Sequence, residues 1–474
     1  MTKRRRSGAA KQRLRVPETR AVASFARPLP WLLGTGVAFC ACVALDRLVL
    51  HNNVLTTFNG QQPLSPLYAF WMPQVRMAAA SFVLSAIALV WLAPKLLESR
   101  TSDRWFAVAL LAAALALPLA LFATRESVDR IGMQFLIYRG EEYFDDALKI
   151  SDLSMFLRHY TELVPQLSLH GRVHPPGFAA ILYLVRQAAG PSPYAAGVVV
   201  LLLFSAGVLA MWRAFARVLD RRQARIAALL GLAIPSLLDF ACTSMDAVFF
   251  SASCLVLWAS FAALGGEGRW WHATVAGVLL YLAALLSFSA VPLGLFVSLY
   301  ALGSWWRQRD ARIPAQLILI LAGFGVAYLV FRTATGFDLW SGLLAAREQH
   351  YQIMSRVIGQ SVASAYLPTT FGNISALLIG SGLAVVPLFL RRAGDALKTA
   401  PANPLLIATA VVVTVVCAGG LYVMETERIL MFVMPWLTLT AVAASHLPDA
   451  TVRLLLTAGW FQTFVMEVLL FTLW

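Results

Sequence analysis

Apolar runs recur along nearly the whole chain, from the one that opens at Trp31 to the one that closes near Leu470. Each reaches the roughly 18 residues a helix needs to cross a bilayer. In hydrocarbon every backbone N–H and C=O must be bonded inside the protein, which leaves helices or a closed barrel. The runs are continuous rather than alternating, so they predict helices. Only 13% of residues are charged and the mean hydropathy is +0.71, whereas a soluble domain carries about 25% charged residues. The expected fold is all-α: a polytopic integral membrane protein of about thirteen transmembrane helices, with juxtamembrane helices in its outer loops.

The expected spans lie near 30–48, 77–94, 105–123, 193–212, 225–241, 246–264, 271–286, 289–304, 313–332, 372–390, 403–422, 429–445 and 452–472. Charge placement orients them. Residues 1–29 form a basic tail with nine Lys/Arg against the single acid Glu18, and such a tail before a first span marks the cytoplasmic side. The net charge of +14 is therefore topogenic, and no nucleic-acid partner is expected. The basic segments 213–225, 305–312 and 391–398 all fall inside if HPPGFAAILYLVRQ (174–187) is too short to cross. That leaves one transmembrane domain, 30–474, with a large outer loop at 125–192 and a second at 333–371. Five scattered cysteines, none in a CxxC pattern, read as small buried hydrophobes.

The outer loop 125–192 holds the polar residues an enzyme needs. Glu141, Glu142, Asp145 and Asp146 fall within six positions. A carboxylate held partly desolvated at a membrane edge gains basicity, and a general base acting on an acceptor hydroxyl needs that. Asp146 is the first choice, because it lies near the start of a short amphipathic pattern, ALKISDLSMFL, that would fix it. A solvated loop of mixed charges accounts for the same residues. Downstream, His170, Arg172 and His174 alternate, so an extended chain points all three one way. Two imidazoles beside a guanidinium make a phosphate clamp. A metal pair needs a further close ligand, and none is adjacent. Three other places carry ionisable groups at an expected outer edge: Asp246 at the start of a span, Glu425, Glu427 and Arg428 in METERILMF, and His350 with Tyr351 on an amphipathic stripe in the second outer loop. A helix-dipole partner accounts for Asp246, an interfacial Glu–Arg pair for 425–428, and an interfacial helix for His350 and Tyr351. No phosphate-binding loop, dinucleotide fingerprint or nucleophile elbow occurs. No cofactor is required by any motif, and a divalent metal is left open.

With these pieces in order, the chain resembles the polytopic glycosyltransferases of the GT-C superfamily. Within it the likeness is to bacterial relatives of the dolichyl-phosphate-mannose protein mannosyltransferases and of the lipid A aminoarabinose transferase. The likeness is carried by EEYFDDA, then VHPPG opening a helix, then RVLDRRQARIAALLGLAIPS, then SMDAVFF, and late in the chain ETERILMFVMPW. The resemblance implies an enzyme of the bacterial inner membrane working on its outer face. It implies an inverting transfer from a polyprenyl-phosphate-linked sugar to a lipid, glycan or protein acceptor among the membrane lipids, with an acid of the first large outer loop as base. A secondary transporter or lipid flippase is the alternative reading. It predicts internal repeats and mid-membrane charges.

The expected topology is testable by labelling. With Lys149→Cys and Asp220→Cys made singly in a cysteine-free background, a membrane-impermeant thiol reagent should label position 149 on intact cells and spare 220. The opposite pattern would overturn the orientation.

Overall fold

The computed structural model describes residues 28–50, 63–137, 140–265, 269–358, 362–398, 403–420, 422, 425–443 and 445–472. All but the last two residues of the expected basic tail lie outside that set. Eight helices among the described residues are long and apolar enough to cross a membrane: Pro28–Leu50, Ala79–Leu97, Asp103–Phe122, Pro193–Val218, Asp246–Leu264, Arg312–Thr335, Tyr366–Ala396 and Asp449–Leu469. Three shorter apolar helices, Gly177–Ala189, Trp270–Leu286 and Pro404–Ala418, accompany them. The protein is an all-α polytopic membrane protein.

Aromatic packing marks the core. Phe204 meets Phe250 with ring centroids 5.4 Å apart, Phe249 meets Phe432 at 5.2 Å, and Trp436 stacks on Phe296 at 4.5 Å. These contacts tie together Pro193–Val218, Asp246–Leu264, Ala290–Gln308 and the segment 430–442. Dispersion and ring geometry hold such contacts where lipid removes the hydrophobic drive between helices.

Both ends of the bundle are fastened by arginines. At one end the fully buried Arg225 donates to the carbonyls of Leu96, Glu98 and Thr101 and to Asp103 Oδ1 at 2.7–3.1 Å. Arg221 shares Asp103 at 2.9 Å, and Arg222 reaches Asp449 Oδ1 at 2.6 Å. At the other end Arg125 donates to the carbonyls of Met72, Glu467 and Leu470 at 2.8–2.9 Å. There Ala69–Trp71 pairs antiparallel with Leu470–Thr472, Phe70 opposite Phe471. This small ribbon is the one departure from an all-helical chain among the described residues. It depends on a pairing between segments about 400 residues apart, which no local pattern announces.

Two expected spans differ in form. The run at 225–241 is two short helices, Arg221–Gly231 and Pro235–Asp239. Pro235 has no N–H to carry the ladder through and disfavours helix in the residue before it; Ile234 is extended, with ψ 122°. The run at 429–445 is likewise broken, into Thr426–Ile429, a 3-10 turn and Met434–Val442. Both broken segments are buried in protein, the setting in which interrupted helices persist at membrane depth. The cysteines are all free; Cys242, Cys254 and Cys417 are buried, as expected, whereas Cys40 is exposed.

The segment 125–192 leaves and returns at the same end. Arg125 is fastened beside Leu470, and Gly132 lies against Pro193 and Gly197, where the next long helix begins. The HPPG segment is the 13-residue helix Gly177–Ala189. It runs beside the helix Tyr143–Lys149, to which Arg186 is bonded, and is shorter than the helices long enough to cross a membrane. Gly132 has φ +82° and its added Cβ would fall on the Pro193 carbonyl oxygen, whereas Gly140, with φ +86°, has open space around it. Gly140→Ala should cost about 1–2 kcal/mol from left-handed strain alone. Gly132→Ala should cost about 1–3 kcal/mol more, from overpacking, seen as a lower unfolding temperature in detergent. Equal shifts would show that the close approach at Gly132 is unimportant.

Candidate active site

The site is assembled where the acid segment 140–146 meets the His-rich segment 167–174. The helix Tyr143–Lys149 is held from both sides. Its last turns end on Arg186, which donates to the carbonyls of Ala147, Leu148 and Ile150 at 2.7–2.9 Å. At its first turn Asp146 is buried. Its Oδ1 accepts from Ser168 N at 2.8 Å, and its Oδ2 accepts from Ser168 Oγ at 2.6 Å. Ser168 in turn caps the next helix, Leu169–Val173, by accepting from Gly171 N. The same helix donates backward through Leu169 N to Gly140 O at 2.9 Å and His170 N to Glu141 O at 3.1 Å. The two segments are thus laced together by backbone and side chain.

That lacing corrects the extended reading of 170–174. Leu169–Val173 is helical and His174 is its extended C-cap, because Ser168 supplies a cap and the prolines begin only after the helix has ended. His170 and His174, four apart, come onto one face, and Arg172 turns away to donate to Leu167 O at 2.8 Å. Both imidazoles pack on Tyr143 with ring centroids 5.7 Å away, and Phe178 closes the group at 5.0 Å. Tyr160 fastens this turn by donating to the carbonyls of Gly171 and His174.

The two histidines are electrostatically unlike. His170 Nδ1 stands 3.1 Å from Glu142 Oε1, with both residues buried. Burial opposes charge on His170, but the Glu142 charge and hydrogen bond outweigh it and raise the imidazole above its ordinary value. Burial, helped by the charges of His170, Arg428 and His350, pushes His174 down to about 3, so it is a neutral imidazole. Its Nδ1 has no partner among the described residues. Of the two imidazoles in the expected clamp, His174 therefore contributes no charge.

Opposite these lies the second polar group. Asp246, first residue of the helix Asp246–Leu264, is bonded by Ser244 Oγ at 3.0 Å and lies 3.4 Å from Arg428 Nε. Arg428 also donates to Glu425. Thr426 Oγ1 donates to Asn373 Oδ1 at 2.5 Å, and Asn373 Nδ2 bonds the Cys417 and Tyr422 carbonyls, which fixes the start of Thr426–Ile429. Tyr143 and His170 feel the charges of both Glu142 and Arg428, so the two polar groups face each other. Glu427 points elsewhere: its Oε1 accepts from Tyr68 N at 2.8 Å, in a small cleft lined by Asp239, Ser236 and Glu467. The helix Leu339–Ile358 packs on Leu169–Val173. It brings His350 near His174, and Tyr351 is exposed under Arg347.

Among the four acids, Glu142 is taken by His170, Asp146 by Ser168 and Asp145 by Gly140 N. Glu141 is half-buried, and its carboxylate is held by no donor among the described residues. Burial raises it above the ordinary glutamate range, with Glu142 and Glu425 adding to the rise and His170 opposing it. No group of three or more His, Cys, Asp or Glu that could hold a metal ion occurs among the described residues. Ser168, Tyr160, Arg186 and Asn373 carry no signal in the local sequence apart from Ser168, whose place three residues before Gly171 is that of a helix cap.

Residues 173–333, roughly a third of the chain, match the family model described as dolichyl-phosphate-mannose-protein mannosyltransferase. The matched stretch includes His174, the basic hairpin and Asp246. No curated protein matches the chain. The family match bears out the resemblance to the GT-C superfamily, and with the apolar helices it supports a membrane glycosyltransferase of GT-C type.

The lacing predicts strong coupling between Asp146 and Ser168. Asp146→Asn and Ser168→Ala should each destabilise the protein, and their double mutant should fall short of the sum by about 0.5–3 kcal/mol, read from unfolding in detergent. Additive losses would mean that the two side chains act independently.

Proposed function

We propose that this protein transfers a sugar from a polyprenyl-phosphate donor to the hydroxyl of a lipid, glycan or protein acceptor on the outer face of the membrane. The observation that carries this reading is the convergence, at one end of the bundle, of a half-buried and uncommitted Glu141 with Glu142–His170 and Asp246–Arg428. In the proposed step Glu141 takes the acceptor hydroxyl proton and the oxygen attacks the anomeric carbon from the face opposite the phosphate. The bond from that carbon to the phosphate oxygen breaks, its electron pair leaves with the polyprenyl phosphate, and the anomeric configuration inverts. The guanidinium of Arg428 meets the phosphate charge, and the neutral His174 offers a hydrogen bond without adding charge. Glu141 replaces Asp146 as the favoured base because a base must be reached by the acceptor, and Asp146 is buried with both oxygens engaged by Ser168 whereas Glu141 is half-buried. Asp146 is then a fastener of the loop. The outward orientation rests on the basic segments, which by the positive-inside rule lie in the cytoplasm. Arg221, Arg222 and Arg225 are bound at the end opposite Arg125, from which the acid segment departs.

The tests separate base from fastener. Glu141→Gln should slow transfer by about 10²–10⁴-fold with its unfolding temperature preserved, whereas Asp146→Asn should chiefly lower stability. Near wild-type transfer by Glu141→Gln would sink the assignment. Because Glu141 is raised above the ordinary glutamate range, kcat/KM should climb with pH through that raised value, and the climb should vanish in Glu141→Gln. Arg428→Ala should raise the apparent donor KM, losing about 1.5–3 kcal/mol of charge-assisted contact.

A further inference from the structure

Arg428 is buried and already engaged by two carboxylates, those of Asp246 and Glu425. Glu142 lies close enough to add its charge. An anion entering such a place meets like charge in a medium that screens it poorly. On the reading that Arg428 receives the donor phosphate, one of its two carboxylates has to withdraw first. Asp246 is ill suited to do so: Ser244 Oγ bonds its Oδ2, and it sits at the N-terminus of a long helix, where negative charge is favoured. Glu425 is differently held. It stands just before Thr426–Ile429 with φ 58° and ψ 28°, the left-handed region that residues other than glycine seldom occupy. Its carboxylate has Arg428 as its one partner among the described residues.

The geometry points to Glu425 as a tethered stand-in for the donor phosphate: its carboxylate occupies the anion position on Arg428 and yields it when the phosphate arrives. This proposal rests on the phosphate reading of Arg428. It gives Glu425 two effects. A lipid without a phosphate cannot displace the carboxylate, so the contact selects for an anionic headgroup. After transfer the released polyprenyl phosphate is a monoester, which carries about −1.5 to −2 charges near neutral pH. The return of Glu425 then competes for Arg428 and speeds release.

The experiment is equilibrium binding of a polyprenyl phosphate bearing no sugar to the full-length protein in detergent, with donor KM measured alongside. Glu425→Gln removes the charge and keeps the shape. Glu425→Gly removes the carboxylate and suits the backbone, so it provides folded protein if the first variant does not. Either should tighten polyprenyl phosphate by roughly threefold to tenfold, the size expected from deleting one like charge beside an entering anion. Donor KM should fall and product inhibition should strengthen. In an Arg428→Ala background the same substitutions should lose this gain. Unchanged or weaker binding in both Glu425 variants, with Arg428→Ala weakening binding as expected, would overturn the stand-in and leave the phosphate reading in place. If Arg428→Ala binds as well as wild type, the phosphate reading fails and the stand-in fails with it.

Discussion

A carbonyl that leaves its helix away from water must still find a donor, and this chain meets that demand with arginine. A guanidinium offers five N–H groups in a planar fork, so one side chain can satisfy several carbonyls that point to a common place. Arg125 gathers four carbonyls from residues 72, 467, 468 and 470; Arg186 gathers three from the end of Tyr143–Lys149; Arg225 gathers three from the turn at 96–101. Each joins segments distant in sequence, and each sits where a helix stops. The site depends on two of them: Arg125 sets the point from which 125–192 departs, and Arg186 sets how the acid segment lies. Arg225, whose charge the sequence assigns to topology, is therefore also bonded into the structure.

The chemistry of the site follows from how that scaffold divides charge. Glu142 raises His170 above its ordinary value, whereas burial, helped by the charges of His170 and Arg428, holds His174 neutral. Two residues of the same type, four positions apart and packed on the same tyrosine, thus end with different roles. Glu141 sits one residue from Glu142 but has no cation bonded to it among the described residues, so burial acts on it unopposed by a partner's hydrogen bond. Its raised basicity is a consequence of that burial, with the charges of Glu142 and Glu425 adding to it.

The sequence made some of this legible. Span patterns are local: a run of apolar residues needs only itself to be a membrane helix, so the helices near 79–97, 193–218, 246–264 and 449–469 were found close to their observed limits. The shortness of the HPPG helix was readable too, since Pro175-Pro176 and Gly190 bracket it. The broken segments at 221–239 and 426–442 were harder, because apolar composition does not distinguish a spanning helix from interrupted helices buried in protein. The ribbon between 69–71 and 470–472 was invisible, as were the links of Tyr160 to Gly171 and of Asn373 to Thr426. Each pairs residues whose own surroundings say nothing about the partner.

The acid cluster shows where local reading stops. Asp146 and Glu141 are both loop carboxylates made more basic by burial, and the local sequence favours Asp146, since a helix start fixes a side chain in place. Fixation has two outcomes that a sequence cannot separate. A carboxylate can be held by its backbone alone, which leaves its oxygens for a reaction, or it can be held by donors that occupy those oxygens. For Asp146, Ser168, 22 residues away, supplies the second kind of hold, donating to both of its oxygens. The rigidity that favours Asp146 in the local sequence is thus supplied by those bonds. By anchoring the helix that follows, those same bonds bring His170 to Glu142, and among the described residues no donor holds the carboxylate of Glu141.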